Sequence, residues 1–188
     1  MAKRAKKEKI ITPVEKKLIK LDIACGQNKP QGFVGVDIAN IPGVDVVHDL
    51  EQYPWPFESE SVKEATCSHY FEHTNDMIKF MNELYRILIP GGKCIITSPY
   101  YTSVRCWQDP THKNAISEHS FLYYNDGWRK ANKLDHYGIT CDFDFTYGYV
   151  MSQEWASRSR EAQEFAIKHY WNVVSDIQVT LIKRNATT

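Results

Sequence analysis

The chain has 188 residues, 43% of them hydrophobic, with 23 basic and 23 acidic side chains in balance. That length suits one domain with a core able to stabilise itself. The five cysteines (Cys25, Cys67, Cys94, Cys106, Cys141) are odd in number, scattered and free of any C-x-x-C pair, which favours free thiols in a reducing cytoplasm over a disulfide framework or a zinc site. No apolar run approaches the roughly 18–20 residues that span a bilayer, and the start lacks the apolar core of a signal peptide.

The charge is unevenly spread. Residues 1–20 carry eight Lys/Arg against two Glu, leaving 15 basic against 21 acidic residues beyond them. Residues 1–16 read as a basic, disordered tail and 17–188 as a single domain. The tail either solubilises the chain or contacts nucleic acid through phosphates.

In chain order, Leu18–Ala24 is the first expected strand and Gly32–Ile38 the second. Val44–His48 is a short third after the Pro42-Gly43 turn, and Val62–His69 a fourth. Met77, Phe80, Met81, Leu84 and Leu88 share one face of a helix that Asn75 or Asp76 can cap and Pro90-Gly91-Gly92 stops. Lys93–Ser98 is the fifth strand, and the continuous apolar run Cys94–Thr97 suggests cover on both faces. Strand, helix, strand makes a βαβ unit and so an α/β sheet. Tyr100–Lys133 has little periodicity and many His, Asp, Tyr and Trp residues, the pattern of an active-site loop. Asp142–Val150 then reads as a strand. Glu154–Tyr170 reads as a helix with Trp155, Ala162, Phe165, Ala166 and His169 inward, and Ser175–Lys183 as the last strand.

The chemistry gathers at strand ends, where open α/β sheets bind ligands. Leu21-Asp22-Ile23-Ala24-Cys25-Gly26 closes the first strand with small residues that let a ligand approach the backbone. Gly35-Val36-Asp37 closes the second, where a carboxylate can accept both hydroxyl hydrogens of a ribose. His48-Asp49-Leu50 closes the third, where Asp49 can bond an adenine amino group beside the Leu50 backbone. A nicotinamide site would need G-x-G-x-x-G opening a helix. The chain lacks the later glycines and, with residues 27–32 alone before the second strand, the room.

These strings, with Ser68-His69-Tyr70-Phe71-Glu72-His73 and Arg86-Ile87-Leu88-Ile89-Pro90-Gly91-Gly92-Lys93, resemble class I S-adenosylmethionine-dependent methyltransferases of the methyltransferase type 11 kind. The resemblance implies a Rossmann-like seven-stranded methyltransferase sheet, mostly parallel with one antiparallel strand, here with a shortened first helix. It implies S-adenosylmethionine as cofactor. Asp22, Ala24, Cys25 and Gly26 would hold its methionine part, Asp37 and Ile38 the ribose, Asp49 and Leu50 the adenine. Ser68, His69 and Tyr70 would border the methionyl group.

Ser98-Pro99-Tyr100-Tyr101 follows the fifth strand and has one proline, so it is not the base-amine motif that it superficially resembles. On the acceptor side, His112 can serve as a general base oriented by Asp109; alternatively, both bond only their own loop. The pairs His69/His73 and His112/His119 match no metal signature, so no metal is expected. With no recognition domain beyond the core, a small-molecule acceptor is expected. A non-catalytic cofactor-binding module or activating subunit, or a nucleic-acid methyltransferase, stays open.

Overall fold

Seven strands form one sheet in the order β3-β2-β1-β4-β5-β7-β6 in the computed structural model, which describes residues 17–185. The expected basic tail, residues 1–16, lies outside the described residues. Strand β1 (Ile19–Ile23) runs parallel to β2 (Val34–Asp37) on one side and to β4 (Val62–Ser68) on the other. Strand β3 (Val46–Val47) extends the first side, and β5 (Leu88–Pro99) the second. Strand β7 (Val174–Lys183) is antiparallel to both β5 and β6 (Phe143–Met151). The chain therefore reverses its direction of travel across the sheet at β1, where the carboxyl ends of β1 and β4 open a crevice. No helix separates β1 from β2, as the short connection requires.

Helix α1 (Met77–Ile87) starts at Asp76, whose side chain accepts the Lys79 N–H at 3.0 Å. It buries Phe80, Met81, Leu84 and Ile87 against Leu21, Ile23, Ala65, Cys67 and Ile96 of the sheet. The expected stop at Pro90-Gly91-Gly92 is late by a few residues. Leu88 is already extended and pairs with Val62, and the ladder then jumps to Lys93 opposite Glu64. Pro90 has no N–H for the ladder and Gly91 has φ +73°, so this segment leaves the pairing as a bulge.

The two-sided cover expected of the fifth strand is corrected by its burial: Cys94 and Ile96 are fully buried, Ile95 and Thr97 only half. Strand β4 alternates in the same way, with Val62, Ala65 and Cys67 buried and Lys63 and Ser68 exposed. The second face carries charged pairs rather than a second apolar layer, with Lys20 Nζ 2.8 Å and Lys93 Nζ 3.5 Å from the Glu64 carboxylate. One apolar face is enough for a sheet whose other face is polar.

The segment after β5 is less irregular than expected. It contains α2 (Val104–Gln108), a 3-10 turn (Glu118–Tyr124) and α3 (Asp126–Ala131), each too short to show helical periodicity. The expected helix over 154–170 is broken into α4 (Gln153–Ala156) and α5 (Arg160–His169), because Ser159 caps a new start by accepting the Ala162 N–H at 3.3 Å. Of its expected inner face only Ala166 is buried. Phe165 is 55% exposed.

Candidate functional site

The turn after β1 is built to expose backbone. Ala24 and Gly26 both have positive φ, +54° and +51°, a conformation that L side chains resist. Asp37 holds it. The Gly26 N–H donates to Asp37 Oδ2 and the Ala39 N–H to Asp37 Oδ1, each at 2.9 Å. Each carboxylate oxygen keeps a further lone pair. Gly35 lets β2 come this close: a Cβ there would lie 2.6 Å from Cys25 Sγ and 3.1 Å from the Gly43 carbonyl.

Two cavities meet at Ala24. The first, about 290 Å³, is lined by Ala24, Asp37, Ile38, Asp49, Leu50, Glu51, Tyr70, His73 and Lys113. Its floor is anchored by Trp55, which donates its indole N–H to the Leu50 carbonyl at 2.9 Å and its backbone N–H to Glu83 of α1 at 2.6 Å. Arg86 ties the same loop down through the Phe57 carbonyl at 2.8 Å and Glu83 at 2.6 Å. The second cavity, about 440 Å³, is lined by Asp22, Ala24, Cys25, Asn28, Thr66, Ser68, Thr97 and Gln178 among others. Asp22 accepts the Thr66 hydroxyl at 2.7 Å. Burial raises the Asp22 carboxyl above its ordinary range, with Thr66 and Lys29 pulling partly back. Burial, with Asp22 and Asp37 nearby, also raises the Cys25 thiol.

Of the residues that the sequence nominates for a cofactor, Asp22, Ala24, Cys25, Asp37, Ile38, Asp49, Leu50 and Ser68 line one of these cavities. Gly26 lines neither and acts through its bond to Asp37. His69 lines neither and is turned towards Glu72. Tyr70, expected beside the methionyl group, lines the first cavity instead, and Thr66 and Thr97, which no spacing singles out, line the second. S-adenosylmethionine fits this arrangement: acceptor carboxylates with spare lone pairs stand beside a nucleoside-sized cavity, which joins a second, polar one. A larger groove of about 630 Å³ lies beside α1, lined by Tyr53, Glu60, Asn82, Arg86 and Lys183 among others. It is remote from the strand ends, and its Arg86 is spent on Glu83 and loop carbonyls.

A second constellation sits at the rim of the first cavity. The segment after β4 carries His69 (φ +54°) and the 3-10 turn Phe71–His73, and the 109–114 loop folds onto it. Lys113 and Asn114 both donate backbone N–H groups to the Glu72 carbonyl, at 2.9 and 3.0 Å. His112 Nδ1 donates to the Cys106 carbonyl at 2.9 Å, so that bond, not Asp109, orients the ring. Asp109 Oδ1 accepts the Thr111 N–H and hydroxyl at 2.8 and 2.7 Å, and its Oδ2 lies 3.9 Å from His112 Nε2. Asp109 is thus chiefly a cap for its own loop. Glu72 is only 1% exposed, and its Oε2 accepts the Ser98 hydroxyl at 2.9 Å. Burial pushes the Glu72 carboxyl up, but His69, the local backbone and Ser98 outweigh it and leave the pKa lowered. His119 stands apart, its side chain 76% exposed beside Glu118.

Residues 21–96 match the family described as "Methyltransferase domain". Among solved structures, a SAM-dependent methyltransferase from Archaeoglobus fulgidus shares 19% identity over 89% of this chain and 86% of its own, with a TM-score of 0.64. The complex of the Haloferax volcanii Trm112 methyltransferase activator with a methyltransferase matches at 14% identity over 94% and 86%, TM-score 0.58. A SAM-dependent methyltransferase from Thermotoga maritima matches at 17% identity over 88% and 82%, TM-score 0.57. At such identities these likenesses are of fold. Among curated proteins the sequence finds no match.

Proposed function

We propose that this chain is a class I S-adenosylmethionine-dependent methyltransferase, on the support of the family match at residues 21–96, and that it methylates a small molecule held beside His112. When bound, S-adenosylmethionine supplies a methyl group on a positively charged sulfur. Asp37 accepts the ribose hydroxyl hydrogens through the lone pairs that Gly26 and Ala39 leave open. Asp49 and Leu50 receive the adenine, on a loop that Trp55 fixes to α1. Asp22, Cys25 and Ser68 border the amino-acid end. The chain's contribution to rate is alignment: methyl transfer gains most from holding the two reacting atoms in line.

Acceptor-side chemistry falls to the His112 loop. His112 Nδ1 carries a hydrogen committed to the Cys106 carbonyl, leaving the Nε2 lone pair 3.9 Å from Glu72 Oε1 and from Asp109 Oδ2, next to the His73 ring that lines the cofactor cavity. The five free, buried cysteines suit a reducing compartment such as the cytoplasm. No helix among the described residues is long and apolar enough to cross a membrane.

The observation that carries the reading is the Asp37 carboxylate, fixed by two backbone N–H groups and facing the same cavity as Asp49. Calorimetric titration with S-adenosylmethionine and S-adenosylhomocysteine, with NAD as control, tests it. Binding of the first two alone is expected. Absence of binding, or equal binding of NAD, overturns the assignment.

A further inference from the structure

Two buried carboxylate oxygens among the described residues, Glu72 Oε1 and Asp176 Oδ1, lack a hydrogen-bond donor, and the first stands among imidazoles. Glu72 Oε1 accepts no hydrogen bond, although the residue is only 1% exposed. His69 Nδ1, at 3.4 Å, is near enough for an ion pair but outside hydrogen-bond geometry, and His112 Nε2 is 3.9 Å away. A carboxylate oxygen removed from water and left unpaired is costly. Burial of this kind is ordinarily matched by a cation, and the groups around Oε1 are metal ligands.

One ligand atom from each of Glu72, His73 and His112 lies within 4.8 Å of the other two. Both imidazoles turn the same nitrogen away. His112 Nδ1 donates to the Cys106 carbonyl at 2.9 Å, and His73 Nδ1 to the Thr111 carbonyl at 3.2 Å. A carbonyl can only accept, and the Thr111 hydroxyl, 3.0 Å from His73 Nδ1, already donates to Asp109 at 2.7 Å, so Nδ1 carries the hydrogen in each ring and Nε2 is left as a lone pair. Acceptor atoms gathered within 4.8 Å of one another repel unless something positive lies among them. Ser98 holds the other Glu72 oxygen, so all three side chains have the outer hydrogen bond that orients a metal ligand.

We propose that Glu72 Oε1 and the free ring nitrogens of His73 and His112 bind a divalent transition-metal ion, with Asp109 Oδ2, 3.9 Å from His112 Nε2, as a further ligand within reach. Bonds of roughly 2.0–2.2 Å set tetrahedral ligand atoms about 3.3 Å apart, so rotamer-scale closure from the observed spacing suffices. Two imidazoles and a carboxylate suit zinc, manganese, iron(II) or cobalt rather than calcium or magnesium. Three protein ligands leave a position for an acceptor atom, and His73 also lines the cavity of Ala24, Asp37 and Asp49. The inference rests on the reading of this rim as the acceptor side, and it makes His112 a ligand rather than the base that its place in the sequence suggests.

The test is equilibrium dialysis of the metal-stripped protein against Zn²⁺ and Mn²⁺, with Co²⁺ followed by its visible absorption. One equivalent bound to the wild type is expected. His112→Ala and Glu72→Gln should each weaken it 100-fold or more while far-UV circular dichroism stays unchanged. His119→Ala, an exposed histidine outside the cluster, should bind as the wild type does. Failure of the folded wild type to bind stoichiometrically, or binding undiminished in a His73→Ala/His112→Ala double variant, overturns the proposal. S-adenosylmethionine titration of the metal-free protein reports on the cofactor site separately.

Discussion

At the scale of the residue, Asp37 has a structural duty beside the proposed one. Its position at the end of a strand suggests a ribose ligand; its bonds to Gly26 and Ala39 show that it also holds the turn after β1. Asp37→Ala should therefore weaken S-adenosylmethionine binding by at least about 1.5–3 kcal/mol, the scale of hydrogen bonds to a charged group, read by calorimetry. Unchanged affinity would remove Asp37 from the site. His112→Ala separates the two sides of the cleft. Turnover should fall by on the order of 100-fold, the scale of a group acting at the reacting atom, while cofactor affinity holds. A matching loss of affinity would instead move the 109–114 loop to the cofactor side. Gly35 is a steric residue: alanine there puts a Cβ 2.6 Å from Cys25 Sγ and 3.1 Å from a backbone carbonyl. We expect a loss of about 1–3 kcal/mol in urea unfolding, as for other overpacked sites.

At the scale of the element, the loop between β3 and β4 has no secondary structure of its own, yet Trp55 and Arg86 tie it to α1. Trp55 is 2% exposed, lies edge-on to Phe80 at 5.2 Å between ring centroids, and uses both of its N–H groups. Trp55→Ala should cost about 3–5 kcal/mol in denaturant unfolding. Trp55→Phe should cost less, because it keeps much of the ring while leaving the Leu50 carbonyl without its donor. An alanine variant as stable as the wild type would mean that α1 does not anchor Asp49. The elements that sequence reads best are those with a period: β1, β2, β4, α1 and β7 fall within a few residues of expectation. Those it reads badly are short. Helices α2 and α3 and the turn at 118–124 have too few residues for an apolar stripe, and the break before α5 depends on one capping serine.

At the scale of the whole molecule, one sheet face is apolar and buried under α1 and the segments after β5, while the other is polar. The thiols record that division. Burial raises Cys67 and Cys94, and pushes Cys141 up to about 12. Iodoacetamide should leave these three unmodified in the native protein and reach all five cysteines after unfolding in urea, as counted by mass spectrometry. Rapid native labelling of Cys94 would show that the core between β4 and β7 opens readily.

The sequence by itself determined the α/β class and the order in which Asp22, Asp37 and Asp49 fall at successive strand ends. Each of those facts is local: a strand pattern followed by a carboxylate within a residue or two. The depth of the cleft, its division at Ala24, and the loss of His69 to Glu72 were decided by tertiary structure. So was the meeting of Glu72 and His73 with His112, because those residues lie on different loops joined by backbone bonds to the Glu72 carbonyl. No spacing along the chain encodes that distance. An unpaired buried oxygen exists only once the chain has folded around it.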